Sequence, residues 1–329
     1  MLTSIQIKRF RGLNDVEIQP LKRVNLITGK NDTGKTSILE ALRILLGKGG
    51  PSRCNTLPTE FRGGMGSGDW NENFWKWLFY NKDTQTKCEI HATNGGNQKF
   101  GVFLAFGPEP RREDFSDDLD GLYPHGSIGQ IHFFVHGNFP ESKLTAEIFS
   151  SRPSDPNKDA KDYNRVILKR GKKKVEELLK IIEPRVQAVE PIHVGDNQSP
   201  LIFVDVGLSE LIPVRNMGQG FNRLLNIYSE VIAGEVNILL IDEIENGLHY
   251  SVLPLVWEGL FNAVKELDIQ IFATTHSWEC IEAADVAARK FPTYDLNLIR
   301  LDRVNDDIKA TIIDENALET AKELNWEMR

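Results

Sequence analysis

Residues 29–37, GKNDTGKTS, constrain this chain more than any other stretch. They fit the pattern Gly-x4-Gly-Lys-Ser/Thr through Gly29, Gly34, Lys35 and Thr36. An apolar run, RVNLIT, precedes them, and TSILEALRILL follows with Ile38, Leu42, Leu45 and Leu46 at helical spacing. A strand feeding a glycine-rich loop and then a helix lets successive backbone N–H groups wrap a polyphosphate, with the positive helix N-terminus behind them. Lys35 would bring a point charge to the outer phosphates and Thr36 a hydroxyl to a magnesium ion, while Asn31, Thr33 and Ser37 belong to the same cradle. The competing reading is a glycine-rich turn with an accidental Lys-Thr, which the flanking strand and helix disfavour.

A second stretch, NILLIDEIENGLH, strengthens the first. Four aliphatics, Ile238 to Ile241, make a buried strand that ends in Asp242 and Glu243. In open α/β folds ligands bind at the carboxyl ends of the strands. There Asp242 would hold the magnesium shell and Glu243 would polarise a water for in-line attack on a γ-phosphate. A helix cap would not call for two carboxylates after four aliphatics. The next strand, IQIFATTHS, ends in His276 at the same edge, within reach of the γ-phosphate or the attacking water.

The rest of the chain reads as a mostly parallel, helix-covered sheet with an antiparallel β part. SIQIKRF and DVEIQPL alternate with period two, and CEIHAT, KFGVFLAFG and GQIHFFVHG look like antiparallel strands. Residues 47–73 form a Gly/Pro/Ser-rich excursion, and RREDFSDDLDG a solvated connection. SRPSDPNKDA is a polar break, after which VEELLKIIEPRVQAV is helical as far as Pro184. From residue 190 strands alternate with helices, one of them near 250–266.

Composition narrows the function. A net charge of −8 argues against a surface broadly built for nucleic acid, leaving LKRGKKK, Leu168 to Lys174, as either a solvated face or a local phosphate-binding patch. No apolar run approaches the roughly 20 residues of a membrane helix, and the first residues lack a signal-peptide core, so the cytoplasm is expected. Cys54, Cys88 and Cys280 suggest reduced thiols, and the His276/Cys280 spacing lacks a second pair of zinc ligands.

MGQGFNRLL, starting at Met217, places a glycine pair directly before an amphipathic helix. Taken with IKRFRGLNDVEI, GKNDTGKTS, IDEIENGLH and FATTHS, in chain order, it resembles the ABC-type ATPase heads of the overcoming-lysogenization-defect (OLD) family and its stand-alone AAA-type relatives. SMC and RecF heads are more distant cousins. The resemblance implies an α/β P-loop NTPase of ABC-head type in one domain, 1–329. Its N-terminal lobe, 1–150, would carry the P-loop and antiparallel strands, and its C-terminal lobe, 151–329, the signature, the acid pair and a switch histidine, His276. It implies ATP and Mg2+ as ligands, with Thr36 and Asp242 on the metal and Glu243 and His276 in catalysis. It also implies a homodimer or higher oligomer. Gly218, Gln219 and Gly220 of one subunit would contact the γ-phosphate held by Gly29, Lys35, Thr36, Asp242 and Glu243 of the other, and Glu245 to His249 would cross the interface.

Three departures shape the expected function. Asn216 and Met217 stand where transporter and SMC signatures carry a serine, no long heptads form DNA-tethering arms, and about fifty residues beyond His276 leave no room for the Toprim nuclease of OLD proteins. Gln130 is the candidate for the glutamine loop that joins the lobes. The expectation is an ATP-driven switch read by a separate effector, such as a nuclease, in bacterial defence against phage. A DNA repair ATPase that grips DNA directly, like RecF heads, is the alternative, and no membrane partner is expected.

Overall fold

Chain order and spatial order diverge at once in the computed structural model, which describes residues 1–47, 50–51, 75–107, 122–128, 130–137, 144–151, 154–194 and 200–323. β1 (Leu2–Phe10) and β2 (Leu13–Ile18) form an antiparallel hairpin with Ile5 opposite Ile18 and Ile7 opposite Val16, so that alternate residues point inward. β3 (Val24–Gly29) is buried along its whole length and leads through the loop into α1 (Lys35–Leu46). β4 (Cys88–Asn94), β5 (Lys99–Phe106), β6 (Tyr123–Ile128) and β7 (Ile131–Gly137) then extend the hairpin into an antiparallel sheet of order β2-β1-β4-β5-β7-β6.

β8 (Ala146–Phe149) belongs to a different sheet. After it come α2 (Pro156–Leu168), α3 (Lys172–Leu179) and a small antiparallel sheet of β9 (Ala188–Ile192), β10 (Leu201–Asp205) and β11 (Ile212–Pro213). α4 (Gln219–Ala233), β12 (Ile238–Ile241), α5 (Leu253–Leu267), β13 (Gln270–Thr274), α6 (Trp278–Arg289), β14 (Leu296–Val304), β15 (Asp307–Ile313) and α7 (Glu315–Glu323) complete the described chain. The second sheet has the order β15-β14-β3-β13-β12-β8 and is parallel throughout except for β15 at its edge. β3 thus sits between strands that come some 240 residues or more later, beginning at Gln270 and Leu296.

α1 lies between the two sheets. Ile38, Leu39, Ala41, Leu42 and Ile44 are fully buried and share one core with Ile5 and Ile7 on one side and Leu240, Phe272 and Ile299 on the other. This explains why the helix is apolar almost all round rather than on one stripe. Its buried acid, Glu40, pairs with Arg11 of the β1–β2 turn. The opposite face of the parallel sheet is covered by α4, α5 and α6 through Leu224, Tyr228, Trp257, Leu260 and Ile281.

Two expectations need correction. SRPSDPNKDA is not a break along its whole length, because α2 begins at Pro156. The Asp155 side chain accepts a hydrogen bond from the Asn157 N–H at 2.9 Å and proline occupies the first turn, a helix start written in polar residues. α3 ends at Leu179 rather than at Pro184. Tight turns take over, with Ile182 N–H on Leu179 O and Val186 N–H on Glu183 O, since a proline disfavours helix in the residue before it as well. Residues 52–73 of the glycine-rich excursion, including Cys54, and the whole of RREDFSDDLDG lie outside the described residues. Among the described residues no helix is long and apolar enough to cross a membrane.

On the outer face of the antiparallel sheet His91 Nδ1 and His136 Nε2 are 2.9 Å apart, and His91 Nε2 lies 3.2 Å from Glu89 Oε2. The rings meet above Gly101, where a Cβ would stand 2.5 Å from His136 Nε2. Burial, and then the neighbouring His91, pull the His136 pKa down to about 4, with Glu89 opposing. Between that value and 6.5 the unfolded chain therefore holds a proton that the folded one excludes, so stability is lost as pH falls through this window. Urea denaturation from pH 7 to pH 4 should show a smaller loss in His136→Gln than in the wild type. Parallel curves would mean that His136 does not titrate as its burial requires.

Candidate phosphate site

The loop between β3 and α1 is built around two glycines that nothing else can replace. At Gly29, φ +140°, a Cβ would stand 2.4 Å from Leu301 O on β14, and at Gly34, φ +86°, it would meet Leu13 Cδ2 at 2.6 Å. Thr33 Oγ1 closes the turn by donating to Lys30 O at 2.8 Å. Lys35 is only 6% exposed, and its Nζ donates to Gly29 O at 2.7 Å and Lys30 O at 2.8 Å. Burial draws its pKa down to about 8 although Asp242, Glu243 and Glu245 pull the other way. A cation with so little water around it gains strongly from an anion. Asn31 to Ser37 and His276 line a cavity of about 230 Å³, with the N-terminus of α1 at its floor.

β12 delivers the acids to the same edge. Asp242 Oδ1 accepts from the Thr36 hydroxyl at 3.2 Å and from the Thr274 hydroxyl at 2.8 Å. Thr36 and Asp242 thus bring two hard oxygen donors together beside the cradle, a set that suits Mg2+. Glu243 leaves the strand with φ +50°, uncommon for a residue with a side chain, and its N–H donates to Thr274 Oγ1 at 2.8 Å. His276 is held by its backbone, whose N–H donates to Glu245 Oε1 at 2.8 Å, while the residue borders the cavity.

Three of these supports escaped the sequence reading. Thr274 fixes Asp242 and Glu243 together, and Glu245 anchors His276. Arg223, 8% exposed, donates to Ser150 O at 3.1 Å and to Asp242 O, which ties α4 to the ends of β8 and β12. Arg223 carried a usable signal, a charge on the stripe of α4 that holds Leu224 and Leu225. Thr274 and Glu245 carried none.

The glycine pair expected to act as a signature starts α4. Val214–Met217 make one 3-10 turn, Gly218 has φ +95°, and α4 starts at Gln219. None of Gly218, Gln219 and Gly220 lines the phosphate cavity, and Gln219 Nε2 donates instead to Ser151 O at 3.3 Å. Gly220 approaches its own chain closely, since a Cβ there would stand 2.2 Å from Gly247 O and 2.9 Å from Leu248 Cδ2. Gln130 sits at the turn between β6 and β7, its carbonyl accepting from Gly107 N–H, and is not in the cavity lining. Ser150 and Ser151, next after β8, reach the carboxyl edge instead.

Part of the basic stretch is held internally: Lys169 reaches Ala233 O, and Lys172 and Lys174 pair with Glu190 and Glu266. Cys280 is fully buried with its thiol pushed up to about 12 by burial, and among the described residues no group of three His, Cys, Asp or Glu side chains is placed to hold a metal.

Residues 24–282, from the start of β3 into α6, match the family described as "AAA domain, putative AbiEii toxin, Type IV TA system". The chain belongs to this AAA family. An "ATP/GTP phosphatase" of Helicobacter pylori (strain ATCC 700392 / 26695) is 26% identical over 335 residues, covering 88% of this chain and 89% of its own. A "DNA replication and repair protein RecF" of Nitrosococcus oceani is 42% identical over 66 residues, 20% of this chain and 18% of its own length. Among solved structures, an SMC head bound to the C-terminal winged-helix domain of ScpA superimposes with a TM-score of 0.61 at 13% identity, over 97% of this chain and 99% of that one. The AAA chain therefore has the ABC-head fold that its motif order implied.

Proposed function

We propose that the chain binds ATP with Mg2+ in the cradle Gly29–Ser37 and hydrolyses it. The observation that carries this reading is the convergence, at one sheet edge, of a buried ammonium, the N-terminus of α1 and the Thr36–Asp242 oxygen pair, with Glu243 next along the chain. Bound Mg2+ would sit on Thr36 and Asp242 and neutralise charge on the β- and γ-phosphates. Lys35 exchanges its two carbonyls for phosphate oxygens. Glu243 accepts the proton of a water as its oxygen bonds to the γ-phosphorus, while the bond from that phosphorus to the β–γ bridging oxygen breaks and ADP leaves. His276 reports on the γ-phosphate through its place on the cavity wall.

Two copies would sandwich two ATP molecules, each cradle completed by Gly218, Gln219 and Gly220 of the other. This is supported by the start of α4, where a Cβ on Gly218 would meet nothing within 4 Å and so leaves the backbone open to approach. The closing and opening of such a dimer would control a separate effector, a nuclease or toxin, in the cytoplasm during defence against phage. The family description names a toxin–antitoxin system, and it supports the toxin part of that reading alone. The RecF similarity over 66 residues favours a second reading, direct action on DNA, which the paired lysines of the basic stretch weaken. Duplex binding with a steep salt dependence would support it.

Lys35→Ala tests the first reading. Loss of a charge-assisted contact should weaken a non-hydrolysable ATP analogue by roughly 10- to 150-fold in isothermal titration. Unchanged affinity would place the nucleotide elsewhere.

A further inference from the structure

A second cavity, of about 180 Å³, lies between the end of β8, the start of α2 and the front of α4. A water molecule takes about 30 Å³ in the liquid, so the space holds a small solute. Asn222, Arg223 and Asn226 share one face of α4 by helical spacing and line the cavity together with Ser150, Ser154 and Asp159. None of these six residues lines the phosphate cavity.

Two opposite charges in this wall are buried without a counter-ion. Arg223, 8% exposed, gives its guanidinium to backbone carbonyls, Ser150 O and Asp242 O. Asp159, 4% exposed, accepts from the Ser154 hydroxyl at 2.5 Å, and Ser154 in turn accepts from the Asn226 amide at 2.8 Å. Among the described residues neither forms an ion pair, whereas the other charges of the lining are settled: Lys158 reaches Glu147 at 3.0 Å and Asp162 at 2.9 Å, and Asp155 caps α2. Burial raises the Asp159 pKa against the pull of Ser154 and Asn226, and lowers that of Arg223 against the pull of Asp242. These are the shifts of charges that have lost water and gained too little in return. Arg223 Nε, a donor, and Asn222 Oδ1, an acceptor, are also buried with no partner among the described residues. Water in the cavity satisfies hydrogen bonds but brings no charge to either group. A ligand that carries an anion and a cation a few bonds apart brings both.

We propose that this cavity binds a free α-amino acid, with its carboxylate on Arg223 and its ammonium on Asp159. The carboxylate matches the guanidinium, and an ammonium with N–H donors, unlike a quaternary one, also suits Asn222 Oδ1. Arg223 also donates to Asp242 O, so one guanidinium would touch both the amino acid and the strand end that carries the acid pair.

Isothermal titration of the full chain with each of the protein amino acids, free of nucleotide, tests this. At least one should bind, and its N-acetyl and carboxamide derivatives, which remove the cation and the anion in turn, should each bind at least about tenfold more weakly. These comparisons leave the chain unaltered. Asp159→Asn keeps the shape of the side chain and removes its charge, and it should weaken the amino acid by about tenfold or more while a non-hydrolysable ATP analogue binds as in the wild type. The derivative series decides the matter if the variant also loses the ATP analogue. A chain that binds none of the amino acids, a blocked derivative that binds as well as its parent, or an amino acid held equally by Asp159→Asn would overturn the proposal.

Discussion

Replacing Glu243 with Gln is expected to preserve ATP binding and to lower turnover by about 100- to 10,000-fold, the usual contribution of a positioned general base. Gln is close to Glu in size and keeps the backbone N–H that donates to Thr274 Oγ1, so the turn at φ +50° should survive. Thr36 and Asp242, the proposed metal ligands, are untouched. What is lost is the charged oxygen proposed to take the water's proton, for which an amide offers no substitute at neutral pH. Phosphate release under saturating ATP, read alongside analogue binding, separates the two effects. Turnover near the wild-type rate would take Glu243 out of the mechanism.

The parts of the site that sequence made legible are those in which one local pattern dictates both backbone and chemistry. Gly29 and Gly34 must be glycine for steric reasons and frame Lys35 and Thr36 in a single stretch, and four aliphatics before Asp242 and Glu243 give the strand and its end together. Residues that act from a distance in the chain were harder to see. Thr274 is 32 positions from Asp242, and its hydroxyl has a role only once β12 and β13 lie side by side. The insertion of β3 between β13 and β14 has the same origin, because parallel pairing between remote strands leaves no local trace. Gln130, the candidate glutamine, sits in a hairpin of the antiparallel sheet, whereas the chain after β8 reaches the carboxyl edge of the parallel sheet with Ser150 and Ser151.

Gly220 carries a further lesson. A glycine pair before a helix suggests room for a phosphate, and Gly220 does need a close approach, but within its own chain the group it approaches is Gly247 O. A side chain there would disturb the Glu245–His249 loop whether or not nucleotide is present. Gln219 is the better place to introduce a charge, since it is exposed at the first turn of α4, where an acidic residue is favourable for the helix.

Mixing Gln219→Glu with Lys35→Ala therefore tests the composite ATP site most directly. Each variant alone should be inactive, the first because its carboxylate faces the partner's γ-phosphate and the second because its cradle has lost its cation. In a mixed dimer one site carries both defects, while the other joins the intact Lys35 of the first chain to the intact Gln219 of the second. Random exchange at equal amounts makes half of the dimers mixed, each with one sound site of two, so about a quarter of the wild-type sites should return. Steady-state phosphate release is the measurement, with a tag pull-down to show exchange and analogue titration to count tight sites. Recovery of about a quarter of wild-type activity is the expected result. A mixture that has exchanged, stays inactive and gains no tight nucleotide site would contradict a site completed across two chains.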